Sequence, residues 1–146
     1  MQVRPKADGD QEWVSAVLSR FWGLPQIFAG GEVFDAANLP GLIAGEREGL
    51  ATFGVVPDRT SARLVTLNAL TPRRGIGTAL TEALVAQLAA GGVPLLRVSM
   101  TNDNLDALRF YQRRGFRIAT IHAGAIDRAR RLKPSIPLAG HYGSDP

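Results

Sequence analysis

Residues 63–100 constrain the fold more than any other part of the sequence. The run "RLVTLNAL" (63–70) alternates two sets of side chains with the period of a strand. An alanine-rich run then predicts a helix over about 77–90 that stops at Gly91-Gly92, and "LLRVSM" (95–100) predicts a buried strand. Two strands joined through one helix lie parallel in one sheet. The stretch therefore predicts a βαβ crossover.

A three-strand meander is predicted just before this crossover, because two further strand-like runs precede residue 63. They cover residues 42–46 and 50–56, and the turns "EREG" and "PDRTS" between the runs suit hairpins. Hairpin-linked strands pair antiparallel, so the chain combines both kinds of pairing. The predicted fold class is α+β, with a mixed, mostly antiparallel central sheet, a parallel βαβ crossover and flanking helices.

The region before the meander predicts one helix and one irregular segment. In "DGDQEWVSAVLSRFWG" the apolar residues form one helical stripe, with Asp8 or Asp10 as N-cap and Gly23 as the end. Residues 24–40 contain two prolines and no clean period, so we expect an irregular segment with at most a short helix over 35–38. Long irregular connections are often binding loops, and Trp22 and Phe34 flank this one as candidate pocket or core aromatics.

Three elements are predicted after the crossover. "TNDNLDALRFYQRRG" predicts a capped helix that ends at Gly115, "FRIATIHA" (116–123) a strand, and "GAIDRARRL" a short helix. The final residues are rich in proline and glycine and contain no alternating apolar run.

Length and composition predict one domain over residues 1–146, since 146 residues with 45% apolar content can bury a core. The absence of cysteine excludes disulfides and thiolate metal clusters. His122 and His141 have no metal-ligand spacing, so no metal site is predicted. No apolar run approaches ~20 residues and no signal-peptide pattern is present, which makes the cytoplasm the expected compartment and a membrane no expected partner.

Positive charge is concentrated late in the chain. One acid, Asp127, lies among eight basic residues: Arg109, Arg113, Arg114, Arg117, Arg128, Arg130, Arg131 and Lys133. Such a region can bind nucleic acid, hold an anionic cofactor or simply be solvated. Aromatic side chains are not interleaved with the arginines as stacking platforms require, so nucleic acid ranks last as a partner.

The entrance of the crossover helix combines backbone freedom with positive charge. Gly75 and Gly77 remove side chains from a helix start, where backbone N–H groups lack intrahelical partners and the helix dipole favours anions. Arg73 and Arg74 add formal charge, and Thr78 adds a hydroxyl. This pattern predicts a phosphate cradle, most suitably for a diphosphate.

Two common phosphate motifs do not fit this entrance. A Walker loop needs Gly-Lys-Ser/Thr, which is absent. A dinucleotide fingerprint needs a third glycine where this chain has Leu80, and an acid after the next strand where it has "SMTND".

The wider pattern resembles the Gcn5-related N-acetyltransferase (GNAT) family. That family combines a Gln/Arg-x-x-Gly-x-Gly/Ala loop, a parallel strand, and an Asn-x-x-Ala-x-x-Phe-Tyr helix followed by Gly-Phe. The corresponding residues here are Gly75-Ile76-Gly77, then "NLDALRFY" (104–111), then Gly115-Phe116. Matches in this order cover about residues 42–122.

The resemblance implies an acetyl-CoA-dependent N-acetyltransferase that acts by direct attack of an amine in a ternary complex. Acetyl-CoA would lie between the two parallel strands, with its pantetheine arm paired to backbone like an added strand and a strand N–H stabilising the oxyanion. Tyr111 would be the catalytic proton donor to the departing thiolate. The implied cofactor-binding residues are Asn68, Ala69, Leu70, Arg73, Arg74, Gly75, Ile76, Gly77, Thr78 and Asn104.

Several points stay open at this stage. Glu46, Glu48, Asp103, His122 or a water chain could act as general base, and the acceptor could be a small-molecule or peptide amine. The chain has Pro72 at the family's Gln/Arg position, so Arg73 or Arg74 must replace that side chain. The family's last strand is also missing, so a second subunit in a homodimer could complete the sheet. The alternative function is an acyl-CoA-binding domain without turnover.

Overall fold

The computed structural model describes residues 1–23, 26–29, 31–72 and 74–133. Within these residues the strands are β1 (Val3–Pro5), β2 (Gln26–Ala29), β3 (Glu32–Asp35), β4 (Gly41–Ala44), β5 (Gly49–Val55), β6 (Ala62–Ala69) and β7 (Leu96–Val98). The α-helices are α1 (Gln11–Trp22), α2 (Ile76–Ala90), α3 (Leu105–Arg113) and α4 (Ala125–Leu132), and short 3₁₀ helices cover Asp8–Asp10 and Ala36–Asn38.

The main sheet has the order β1-β4-β5-β6-β7, and β2 and β3 form a separate two-stranded sheet. β1, β4, β5 and β6 pair antiparallel in turn, whereas β6 and β7 pair parallel across α2. The α+β fold class, the meander and the crossover predicted from the sequence are confirmed.

The two longest helices cover opposite faces of the main sheet. The apolar stripe of α1 packs in one buried cluster with Ile43, Leu50 and Val65 of the central strands. Gly49, the neighbour of Leu50, has its side-chain position directed at Ile76 and Leu80 of α2. Because neighbouring residues of a strand face opposite sides, α2 lies on the other face.

The described chain divides into two compact units. The first comprises Met1–Ile27 with Val33–Val98 and contains the main sheet, α1 and α2. The second comprises Phe28–Glu32 and the chain from Ser99 onward, with α3 and α4. The single domain predicted from chain length stays a prediction.

Two strand predictions need correction. Residues 116–123 are not a strand; Ile118 and Ile121 are 64% and 84% exposed. No strand among the described residues pairs with this run, and an unpaired strand cannot satisfy its backbone groups. The run over 95–100 is a strand only at Leu96–Val98, and it is half-exposed rather than buried because β7 lies at the sheet edge in the described chain.

Two predictions before the meander also need correction. The segment over 24–40 is not irregular, because β2 and β3 occupy part of it; the short helix expected near its end is present as Ala36–Asn38. Asp10 occupies the N-cap position of α1 without capping it, since its carboxylate bonds elsewhere. Gly23 ends α1 as predicted.

Candidate functional site

β6 and β7 separate part of the way along β6. Their pairing runs from Ala62↔Leu96 to Leu64↔Val98, while β6 continues to Ala69. The register between β5 and β6 shifts at the same place, so that Val65 is an extra residue of β6. A bulge of this kind bends its strand and increases the twist. Residues 65–69 therefore leave an edge, here called the open edge, to which no described strand pairs.

The bulge decides which backbone groups face the open edge. Ala62 N–H bonds to Leu95 O on the β7 side, whereas Leu70 N–H bonds to Glu48 O on the β5 side at 2.9 Å. Because neighbouring residues alternate in direction, Asn68 shares the direction of Leu70, and Leu67 and Ala69 face the open edge. At ~3.3 Å per residue the edge is about 16 Å long.

The first backbone N–H groups of α2 have no acceptor within the helix. Its N-cap is Gly75 in the left-handed region (φ 71°, ψ 16°), and the first helical bond runs from Ala79 N–H to Gly75 O. Among the described residues no side chain caps this helix, and its first turn contains no acid. The N–H groups of Ile76 and Gly77, here called the bare helix start, are suited to an anion.

Arg74 places a positive charge beside the bare helix start and borders an open cavity there. Its guanidinium is 61% exposed and lies 3.8 Å from Glu48 Oε1, a surface pair of small energetic value. Arg74 also borders an open cavity of about 660 Å³ together with Arg4, Gly45 and Glu48. Its side chain can therefore turn towards a bound anion. Arg73 lies outside the described residues.

Close packing on β5 fixes where α2 begins. A Cβ on Gly49 would overlap Ile76 Cγ2 and lie 3.1 Å from Leu80 Cδ1. Ile76 and Leu80 are completely buried, and Thr81 Oγ1 donates to Gly77 O at 2.8 Å within the first turns. The absent side chain of Gly49 thus lets the helix start sit directly on the sheet, at the end of β6.

Trp22 and Phe34, the two aromatic pocket candidates, differ in the structure. Phe34 packs against the main buried cluster. Trp22 is 37% exposed, and its Nε1 donates to Asn68 Oδ1 at 2.9 Å. Phe34 is therefore a core residue, whereas Trp22 is an exposed aromatic tied to the strand that carries the open edge.

In the second unit, α3 carries Asn104 and Tyr111. Asn104 Oδ1 accepts from Ala107 N–H at 3.2 Å, so the helix is capped as predicted, and the cap is the side chain implied to bind the cofactor. Tyr111 is 8% exposed and makes edge contacts with Phe110 and Phe116, with ring centroids 5.1 and 5.2 Å apart. Burial raises the pKa of Tyr111 to about 12, so the phenol keeps its proton at neutral pH.

The four general-base candidates lie in different surroundings. Glu46 is exposed and Glu48 half-buried in the β4–β5 turn, where Glu48 faces Arg74. Asp103 is buried at 3% exposure, and His122 is exposed in the irregular run after α3. None of these positions singles out a base.

Sequence reasoning missed two features of this site. The bulge at Val65 has no signature in "RLVTLNAL", and simple alternation therefore assigns the wrong backbone groups to the open edge. Gly49 stands in the predicted turn "EREG" and looks like an ordinary turn glycine. A glycine that follows a hairpin turn and precedes a buried strand can signal a close approach.

Residues 68–116 match the model of the acetyltransferase (GNAT) family. YdhI, an uncharacterized protein of Bacillus subtilis (strain 168), is 29% identical over 98% of this chain and 91% of its own length. The ribosomal-protein-S18-alanine N-acetyltransferase of Escherichia coli is 22% identical, with a TM-score of 0.61 over 82% of this chain and 79% of the other. The aminoglycoside N-acetyltransferase AAC(6')-Iy in complex with CoA is 16% identical, with a TM-score of 0.64 over 83% and 90%.

The predicted resemblance to the GNAT family is confirmed by the family match, and the solved structures share the fold. Acetyltransferases of this family use acetyl-CoA, so the match supports the predicted acetyl-CoA-dependent N-acetyltransferase. In the part of the chain that the structure describes, no helix is long and apolar enough to cross a bilayer.

Proposed function

We propose that this chain, with its GNAT family segment and fold, transfers the acetyl group of acetyl-CoA to a primary amine by direct attack in a ternary complex. The observation that carries the proposal is the combination of an open strand edge with a bare helix start at its end. The helix start offers N–H donors and dipole charge to a diphosphate. The open edge offers backbone groups to an amide-bearing arm.

The residues of β6 would orient the thioester. A pantetheine arm contains amides and can pair with an open strand edge as an added strand does. Leu67 and Ala69 are the residues whose N–H and C=O groups face this edge, and we assign the pairing to them. The side chain of Asn68 would act indirectly, by accepting the hydrogen bond that orients Trp22. The N–H of Leu70 donates to the carbonyl of Glu48 and so faces away from the open edge. One edge N–H would stabilise the oxyanion that forms at the thioester carbonyl.

The acceptor would approach beside Trp22, an exposed indole whose direction is fixed by Asn68. Aromatic faces bind apolar surfaces and organic cations. Trp22 therefore suits both the carbon skeleton and the ammonium group of an amine acceptor. The acceptor is proposed as a small-molecule or peptide amine in the cytoplasm. AAC(6')-Iy and the E. coli enzyme, which share the fold, are named for such amines.

Tyr111 is proposed as the proton donor to the departing thiolate, on the strength of the resemblance. The phenol is protonated at neutral pH, as a proton donor has to be. A donor with a pKa of about 12 is a weak acid, so transfer has to be concerted with departure of the thiolate. The general base stays unassigned.

Two measurements test the proposal. Calorimetry with CoA should show binding, and release of free CoA thiol from acetyl-CoA should accelerate with at least one member of a panel of amines. Binding without thiol release for polyamines, aminoglycosides, amino acids and peptides would favour a non-catalytic acyl-CoA-binding domain. No binding of CoA would refute both functions.

A further inference from the structure

The turn between β4 and β5, residues 45–48, contacts the segment that joins β6 to α2 at two places. The carbonyl of Glu48 accepts the N–H of Leu70 at 2.9 Å, and Glu48 Oε1 lies 3.8 Å from Arg74 Nη1. Leu70 follows the open edge, and Arg74 precedes the bare helix start. The pair with Arg74 is weak, but Gly49 directly after the turn packs on Ile76 of α2, so the position of the turn affects both parts of the proposed co-substrate site.

A buried carboxylate at the entrance of α1 holds this turn. Asp10 is 3% exposed and accepts two bonds from Arg4, at 2.7 and 2.9 Å, and two from Arg47, at 3.1 and 3.3 Å. The N–H of Ala7 donates to the same carboxylate at 2.9 Å. These donors hold the pKa of Asp10 well below its usual range, so it stays charged. The parallel bonds of Arg4 to Oδ1 and Oδ2 fix geometry as well as charge, while both bonds of Arg47 reach Oδ1.

Arg47 sits in an unfavourable backbone conformation. Its φ is 62°, a left-handed value that few residues other than glycine adopt. Its guanidinium also donates to Gly9 O at 3.2 Å and lies 5.7 Å from the ring centre of Trp13. Strain of this kind persists where surrounding contacts determine the geometry, and it is typical of functional sites.

We propose that Asp10 and Arg47 are positioning residues for the thioester co-substrate. By holding residues 45–48 in place, they fix Leu70 and the bare helix start relative to the open edge of β6. This inference rests on the proposed function and adds to it two residues outside the matched family segment. It assigns them an effect on the affinity for CoA rather than on the chemical step.

The chain supplies a matched pair of variants for the test. Arg59 lies in the turn after β5, has a φ of 60° and donates to a backbone carbonyl, that of Gly91, at 2.9 Å. Asparagine tolerates left-handed φ values. Arg47→Asn and Arg59→Asn therefore each remove a guanidinium at a position that needs such a φ value, without adding backbone strain. The two turns lie at opposite ends of β5, and Arg59 contacts Gly91 at the C-terminal end of α2.

Calorimetry with CoA and steady-state kinetics with acetyl-CoA are measured for both variants, alongside the free energy of unfolding in urea. We expect Arg47→Asn to raise the Kd for CoA and the KM for acetyl-CoA roughly tenfold, which corresponds to a loss of about 1.4 kcal/mol of binding free energy. Its kcat should change much less than its KM. Arg59→Asn should leave Kd and KM within about twofold of the wild-type values, with a free energy of unfolding comparable to that of Arg47→Asn.

An unchanged Kd in Arg47→Asn, or an equal rise in both variants, would overturn the inference while leaving the proposed function intact. A wild-type chain that binds no CoA would instead overturn the proposed function, and this inference with it. Should Arg47→Asn not fold, Arg47→Lys takes its place, since it keeps the charge and loses the two-bond contact with Asp10. The same rise in Kd is expected from it.

Discussion

The helix starts of α2 and α3 solve the same chemical problem in opposite ways. At α3, Asn104 caps the backbone and Asp106 places an acid in the first turn. At α2, Gly75 offers no side chain, and neither a cap nor an acid is present among the described residues. A glycine at the N-cap costs only roughly a few tenths of a kcal/mol relative to a capping side chain, and α1, α3 and α4 each have an acid in the first turn.

In the part of the chain that the structure describes, α1 and α4 also lack a side-chain cap, and α4 likewise begins at a glycine in the left-handed region, so the absence of an acid from its first turn is what distinguishes the start of α2. With no negative charge in that turn, its N–H groups suit an anion. The start of α3 is satisfied by the chain itself. A variant that damages α2 at its start should therefore affect binding, whereas loss of the cap of α3 should affect folding.

The largest expected effect on stability comes from displacing the start of α2 from its packed position on the sheet. Gly49→Ala places a Cβ against Ile76 Cγ2, so we expect a loss of about 2–3 kcal/mol in the free energy of unfolding. CoA affinity should fall as well, because the bare helix start shifts. Urea denaturation and calorimetry measure both. Gly9→Ala is the control, since its Cβ would meet nothing within 4 Å; equal stabilities of the two variants would contradict the close approach.

Much of this comparison was predictable from sequence. The glycines of "RRGIGTAL" predicted a helix start without side chains at two positions, and "TNDNLDALRFYQRRG" predicted a capped helix where α3 lies. Local signals suffice there because a helix start depends on a few neighbouring residues. The direction of the backbone along β6 was not predictable, because it depends on the bulge at Val65 and hence on pairing with β5. The strand expected over 116–123 failed for a similar reason, since strands need partners that sequence alone does not supply.

A second effect comes from Tyr111 on α3. Burial raises the pKa of its phenol to about 12, above the unfolded value near 10. Because the pKa is higher in the folded than in the unfolded protein, the protonated phenol contributes its full stability below pH 10. That contribution to the free energy of unfolding is lost as the pH rises towards 12. We expect the wild type to lose about 2 kcal/mol of stability between pH 9 and pH 11.5 relative to Tyr111→Phe. Parallel urea curves for the two proteins at pH 9 and pH 11.5 check this, and equal losses would contradict the burial of the hydroxyl.

A third effect separates the two ends of α2. Gly75 and Gly92 have φ values of 71° and 76°, and a Cβ at either would meet nothing within 4 Å. Substitution by alanine should therefore cost each about 1–2 kcal/mol of stability. Gly75→Ala alone should also weaken CoA binding, by roughly tenfold, since strain at the N-cap displaces the N–H groups of Ile76 and Gly77. Equal affinities in calorimetry would show that the two ends are equivalent for binding.

The smallest effect concerns the cap of α3. Asn104→Ala should lose about 1 kcal/mol of stability, and Asn104→Ser should regain most of it because serine is also a good cap. The implied role of Asn104 in holding the cofactor is tested by the same pair. If that role holds, both variants bind CoA more weakly; if Asn104 is a cap only, Asn104→Ser binds CoA like the wild type in calorimetry.

The most direct test of the central claim is an NMR titration of ¹⁵N-labelled protein with CoA. We expect the amide resonances of Ile76 and Gly77 to shift most, together with those of Leu67 and Ala69 on the open edge. Saturating shifts confined to other residues, with these four amides unmoved, would contradict a co-substrate site built from the bare helix start and the open edge.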